Sequence, residues 1–118
     1  MRKVSLLSVF ILFVALFSKS FAQGTNYVGN WESTTPVVQY NNLTVRISIS
    51  STTDPNVFVL INIDKPKRKF IGKYNDSEDR LYTTIAKKPI YFKYNAVSDI
   101  LECYRQKDDS KVYELTRY

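Results

Sequence analysis

Residues 43–50 read Leu-Thr-Val-Arg-Ile-Ser-Ile-Ser, and this stretch decides the fold. Apolar side chains occupy every second position, which places them on one side of an extended strand. The next segment, Thr53-Asp54-Pro55-Asn56, consists of residues that favour a turn. The alternation resumes over residues 57–64, so the two segments predict a β-hairpin. In the second segment Phe58 and Leu60 make the other face apolar as well, so the first part of this strand is expected to be buried on both faces.

The same alternation recurs along the rest of the chain, with short polar turns between the segments. No connection is long enough for a helical crossover, so neighbouring strands are expected to pair antiparallel. Closing such a meander into a barrel removes its exposed edges. We therefore predict an all-β fold, a small antiparallel up-and-down meander of about eight strands that closes into a barrel. The predicted strands lie near residues 27–33, 43–50, 57–64, 69–74, 81–85, 90–94, 100–105 and 112–117.

One set of apolar side chains is predicted to face the interior of this barrel. A small apolar molecule that entered the barrel would meet them, which makes them the candidate ligand-binding residues. They are Trp31, Val45, Ile47, Val59, Ile61, Phe70, Leu81, Phe92, Leu101 and Leu115.

The first predicted strand contains Tyr27-Val28-Gly29-Asn30-Trp31-Glu32. Its Gly-x-Trp motif resembles the opening signature of the calycins, which include lipocalins, fatty-acid-binding proteins and avidin-like barrels. The resemblance implies that Trp31 closes one end of the barrel and that an Arg on the last strand packs across its ring. Arg117 is the matching residue, so the resemblance assigns barrel closure to Gly29, Trp31 and Arg117.

The chain departs from these families in size. It is shorter than typical lipocalins, and it has no segment for the helical lid of fatty-acid-binding proteins. The layout is similar to the small lipocalin-like domains of exported bacterial proteins. The expected fold is therefore a lipocalin-like barrel, whose interior either admits one small ligand or is filled by its own side chains.

Residues 1–22 have the pattern of a cleaved signal peptide. Arg2 and Lys3 precede an apolar run from Leu6 to Phe17, and Ser20-Phe21-Ala22 supplies the small-x-small cleavage pattern. The apolar run is shorter than the roughly 20 residues that span a bilayer, so the chain is not expected to be membrane-spanning. Residues 23–118 are predicted to form one domain, exported to the periplasm or secreted.

Charge and cysteine content narrow the possible partners. Without the leader, 14 basic residues face 11 acidic ones, which predicts no nucleic-acid partner. Cys103 is the only cysteine, so no disulfide forms within the chain. It is expected either to be buried as a small apolar side chain or to pair between chains.

Catalysis is not expected. The chain has no His, which excludes Ser-His and Cys-His nucleophile systems. Asp76, Glu78 and Asp79 lack the spacing of a calcium loop and predict a solvated turn. We therefore predict that the protein is not an enzyme, with no metal and no cofactor.

The outer surface offers a second kind of site. Tyr82, Tyr91 and Tyr104 alternate against the apolar residues of their strands and should point outward. They fit either a patch for a protein or glycan partner or cross-strand pairs that only stabilise the sheet. Lys67, Arg68 and Lys69 fit either an acidic partner or a solvated loop.

Two functions follow from these observations. The first is an exported non-catalytic lipocalin-like binding module for a small apolar ligand. The alternative is a periplasmic or secreted inhibitor or interaction protein that recognises a protein or glycan through its Tyr- and Lys-rich outer surface.

Overall fold

The computed structural model describes residues 24–37, 43–64 and 67–118, so the predicted leader lies outside the described residues. Each strand pairs antiparallel with the next, and the last pairs with the first, which closes the barrel. The predicted all-β up-and-down barrel is thereby confirmed. Its strands are β1 (Gly29–Ser33), β2 (Arg46–Ser51), β3 (Val57–Asn62), β4 (Arg68–Asn75), β5 (Arg80–Ile85), β6 (Lys88–Asn95), β7 (Ile100–Arg105) and β8 (Lys111–Arg117).

The barrel interior is filled by large apolar side chains. Val45 and Phe70 pack against this core while remaining partly exposed. Most of the other predicted interior residues are buried, at 2 % exposure or less: Trp31, Ile47, Leu81, Phe92, Leu101 and Leu115. Close packing of this kind leaves little space for a ligand along the barrel axis.

Strand β3 faces the opposite way from the prediction. Phe58 and Leu60 are buried, whereas Val59 is half-buried and Ile61 is 37 % exposed. Both faces of this strand are apolar, so alternation alone could not choose between them. Packing decides the orientation, because Gly72 lies opposite Phe58 and leaves room for the larger side chains inside.

Tyr27 fills one end of the barrel, which we name the Trp31 end. It is fully buried, and two i→i+3 backbone hydrogen bonds around it form a helical turn. Its hydroxyl donates to the backbone oxygens of Asp79 and Phe92, at 3.0 and 3.3 Å, and accepts from the Tyr94 N–H at 3.1 Å. The Trp31 indole N–H donates to the Tyr27 carbonyl at 3.0 Å. The β2–β3, β4–β5 and β6–β7 turns lie at this end.

Arg117 joins the first and last strands. It lies opposite Trp31 in the β1–β8 pairing, and its guanidinium carbon is 4.1 Å from the Trp31 ring centre. The same guanidinium donates to the carbonyls of Val28 and Asn26, both at 2.8 Å, and to Asp99. Its Nη1 would lie 2.5 Å from a Cβ at Gly29, whose φ of +146° also favours glycine. Gly29 therefore leaves the space that the guanidinium occupies.

Replacing Arg117 is expected to weaken the barrel closure. Arg117→Ala should lower the free energy of unfolding by about 2 kcal/mol, because it removes the contact with Trp31 and two charge-assisted hydrogen bonds. The free energy of unfolding of Arg117→Lys should lie between those of Arg117→Ala and the wild type, since an ammonium group cannot reproduce the planar fork of the guanidinium. Denaturant unfolding followed by Trp31 fluorescence measures the change. Arg68→Ala, an exposed arginine, is the control, and equal stability of both alanine variants would contradict the closing role of Arg117.

Gly72 and Gly24 provide a matched pair for core packing. A Cβ at Gly72 would lie 2.7 Å from Leu60 Cδ1 and 2.9 Å from Leu81 Cδ1, both in the buried core. Gly72→Ala should therefore destabilise the fold by about 1–3 kcal/mol through overpacking. A Cβ at Gly24 would meet Phe58 at an ordinary 3.6 Å, so Gly24→Ala should stay within about 0.5 kcal/mol of the wild type. Thermal unfolding of the two variants tests this difference.

Candidate ligand-binding site

A cavity of about 500 Å³ opens at the end of the barrel opposite Trp31, which we name the Lys87 end. This cavity, which we name the mouth cavity, lies between the β5–β6 turn and the β7–β8 turn. Its apolar lining consists of Pro89, Ile90, Val112 and Tyr113. Four basic residues and one amide complete the lining: Lys87, Lys88, Arg105, Lys107 and Gln106.

The β5–β6 turn places Lys87 at the rim of this cavity. Ala86 and Lys87 form the turn between β5 and β6, with φ values of 53° and 64°. Two-residue hairpin turns with two positive φ values are normally built from Asn and Gly, because a Cβ is disfavoured there. The sequence thus places a lysine where glycine would fit the backbone better.

The basic residues of the cavity differ in their partners. Arg105 lies 3.6 Å from Asp108 and donates from Nε to the Ser110 hydroxyl at 2.9 Å. Hydrogen bonds from Ser110 and the nearby Arg105 charge lower the pKa of Asp108. Among the described residues, the only salt-bridged lysine is Lys111, on the barrel wall. Lys87 and Lys88 form no salt bridge with a described carboxylate, and Lys107, whose charge helps to lower the pKa of Asp108, forms none either.

Gln106 is held at the edge of the cavity by two hydrogen bonds. Its backbone N–H donates to Pro89 O at 3.2 Å, and its side-chain amide donates to Ile90 O at 2.9 Å. Gln106 also borders a second cavity of about 490 Å³ in the barrel wall. At this cavity the pairing of β4 with β5 covers only part of the strands, from Lys73–Tyr82 to Asn75–Arg80. Beyond these pairs, the Thr83 hydroxyl donates to Ile71 O at 3.0 Å. The two cavities therefore lie on either side of one anchored amide.

Tyr113 forms part of the cavity floor, next to the barrel's cysteine. Cys103 lies opposite Tyr113 in the β7–β8 pairing and is fully buried. Burial raises the pKa of the Cys103 thiol to about 12, and a hydrogen bond with the Tyr113 side chain partly offsets the rise. The thiol is consequently neutral at physiological pH.

The structure brings the three outer tyrosines together. Tyr82, Tyr91 and Tyr104 lie opposite one another on β5, β6 and β7, with ring centres 5.5 and 5.2 Å apart. Tyr91 is nevertheless only 3 % exposed, because Arg80 covers its ring at 4.5 Å between the two flanking tyrosines. Its hydroxyl donates to Asp109 at 2.8 Å, and burial raises its pKa to about 12. The middle ring is therefore not available for stacking with a partner.

The predicted basic residues are placed near the cavity without forming it. Lys67, Arg68 and Lys69 are exposed at the start of β4, at the Lys87 end, and only Lys69 borders the wall cavity. Of the predicted interior residues, Phe70 borders the wall cavity. The others are absent from the linings of both cavities, and Trp31 lies towards the opposite end.

Part of the cavity was detectable in the sequence. Alternate turns of a meander lie at the same end of the barrel, so Lys87 and Lys107 were bound to be neighbours once the strands were counted. The place of Gln106 in the cavity lining could not be predicted from the sequence, because it depends on hydrogen bonds to the neighbouring β6 strand.

No family model, curated protein or solved structure matches this chain. Within residues 24–37, 43–64 and 67–118, no group of three or more His, Cys, Asp or Glu residues is placed to hold a metal ion. The same ranges contain no helix with the length and apolar character needed to cross a bilayer.

Cys103 can report whether the cavity ends at Tyr113. At about pH 8 the native thiol should react with an aromatic disulfide reagent at least about a hundredfold more slowly than the unfolded chain, because it is buried and protonated. Tyr113→Ala should accelerate the reaction by removing the floor. Absorbance of the released thiolate gives both rates. Native and unfolded wild type reacting equally fast would mean that the cavity extends to Cys103.

Proposed function

We propose that this protein is an exported, non-catalytic, lipocalin-like binding module that holds a small anionic amphiphile at the Lys87 end of its barrel. The apolar part of the ligand packs on Pro89, Ile90, Val112 and Tyr113. The anionic group lies among the lysines at the rim. The compartment is the periplasm or the extracellular space, as the leader indicates.

The observation that carries this proposal is the pairing of an apolar floor with lysines that form no salt bridge to the described residues, in one cavity. Its volume of about 500 Å³ is within the range of small-molecule sites, which are mostly apolar with a few placed polar groups. Because side chains fill the core, we place the ligand in the cavity at the Lys87 end and not along the barrel axis. The closed barrel and the Trp31–Arg117 contact support the calycin-like assignment.

The strained turn adds a second argument. Lys87 occupies a left-handed backbone position that costs stability in a residue with a Cβ. Unfavourable backbone conformations are concentrated at functional sites. A rim charge that contacts a ligand would explain a lysine in this position.

Recognition of a protein or glycan through the outer tyrosines ranks second. Tyr82 and Tyr104 are half-buried and could contact a partner at their edges. The covered ring of Tyr91 removes the centre of such a surface.

Binding of a fluorescent probe tests the proposal. The probe is an undecanoic acid that carries a dansyl group, and its methyl ester is the uncharged match. The wild type should bind the acid more tightly than the ester. Lys87→Gly should weaken binding of the acid about fivefold and leave the ester unchanged, because one rim charge contributes about 1 kcal/mol.

Lys87→Gly also separates binding from folding. Glycine relieves the left-handed strain, so the variant should unfold at a higher denaturant concentration while binding the acid more weakly. Lys93→Gln, on the outer face of β6, serves as the control for charge alone. Equal affinity of wild type and Lys87→Gly for the acid, or no saturable binding of either probe, would refute the proposed site.

A further inference from the structure

The charges of the barrel are segregated between its two ends. The turns at the Trp31 end, residues 52–56, 76–79 and 96–99, contain no Lys or Arg. They carry Asp54, Asp76, Glu78, Asp79 and Asp99. The adjoining strand ends carry Arg80 and Arg117, which pair with Glu78 and Asp99. The Lys87 end carries exposed basic residues at its turns and adjoining strand ends: Lys67, Arg68, Lys69, Lys87, Lys88 and Lys107.

The acidic residues of the Lys87 end are engaged locally. Asp64 pairs with Arg46 at 2.9 Å, and Asp108 pairs with Arg105. Asp109 accepts the hydrogen bond from the Tyr91 hydroxyl. Asp109 keeps its charge in this contact, but the six exposed basic residues outnumber it and make the field of this end positive.

Exposed apolar side chains accompany this charge. Leu43, in the β1–β2 connection, is 65 % exposed at the Lys87 end. Ile61 is 37 % exposed and lies opposite Lys69 in the β3–β4 pairing. Apolar side chains beside clustered lysines are the combination that binds anionic lipid interfaces.

We propose that the Lys87 end docks on an anionic lipid surface, with its lysines at the headgroups and Leu43 inserted among them. This orientation points the mouth cavity at the bilayer and the acidic Trp31 end away from it. The surface is a docking site in its own right, since Lys67, Arg68 and Leu43 do not line the mouth cavity. The inference thus goes beyond the proposed ligand site, with which it shares its location and the lysines Lys87, Lys88 and Lys107.

Vesicle co-sedimentation at about 0.15 M salt tests this docking, where exposed charges more than about 8 Å apart are largely screened. Vesicles contain phosphatidylcholine alone or equal amounts of phosphatidylcholine and phosphatidylglycerol. Wild type should partition onto the anionic vesicles only. Lys67→Gln with Arg68→Gln should lower that partitioning roughly 25-fold, at about fivefold for each basic residue.

Matched controls place the same kinds of substitution elsewhere on the barrel, so that they test whether the position of the changed residue determines vesicle binding. Lys73→Gln with Lys93→Gln removes the same charge from the barrel wall and should change partitioning less than about twofold. Leu43→Asp should reduce partitioning about tenfold or more, because it removes the inserted side chain and adds a negative charge that the anionic surface repels. Val97→Asp alters an apolar side chain that is 99 % exposed at the Trp31 end and should have little effect. All variants share one N-terminus, so any contribution of residues 1–22 is common to them.

The outcomes distinguish docking from ligand binding. Loss of partitioning in the Lys67/Arg68 and Leu43 variants, with unchanged affinity for the dansyl acid, supports docking through this end. Equal partitioning of wild type and these variants, or equal binding to both vesicle types, overturns it. Loss of acid binding with unchanged vesicle binding overturns it as well, because these residues would then belong to the ligand site.

Discussion

The contact between Arg117 and Trp31 is the constraint on which this barrel depends. A meander of antiparallel strands closes only if its first and last strands find each other across the whole chain, and loop entropy opposes that pairing. Arg117 offsets part of this cost, since it covers the indole and donates to the carbonyls of Val28 and Asn26, beside the paired residues of β1 and β8. It therefore holds together β8, β1 and the helical turn that precedes β1.

This closure makes the two ends of the barrel unequal. At the Trp31 end, Tyr27 fills the opening and its hydroxyl makes three hydrogen bonds to backbone groups. No comparable aromatic plug lies at the Lys87 end among the described residues, where the turns instead surround a cavity. The core between them is packed, so the open end is where the described residues leave space for a small molecule. A short barrel can thus have a filled core and still carry a cavity.

The strands could be predicted from alternation because residues such as Ile47 and Ile49 bury one face and leave Ser48 and Ser50 outside. The prediction failed at β3, where both faces are apolar and only the space left by Gly72 decides the orientation. Tyr27 was predicted as the start of the first strand and was not named as an interior residue. In the structure β1 begins at Gly29, and a helical turn before it buries Tyr27. The mouth cavity was missed because its lining combines turn lysines with Gln106, which is positioned by tertiary hydrogen bonds.

Segregation of charge between the two ends gives the barrel a preferred orientation near a charged surface. An even distribution of the same residues would give the molecule no preferred orientation in the field of a charged surface. With acidic turns at the Trp31 end and an excess of basic residues at the other, an anionic surface would attract the Lys87 end and turn the cavity towards it. In the proposed arrangement Lys87, Lys88 and Lys107 serve both the orientation of the barrel and the recognition of an anionic ligand. Lys67 and Arg68 lie outside the cavity, so they serve the orientation alone.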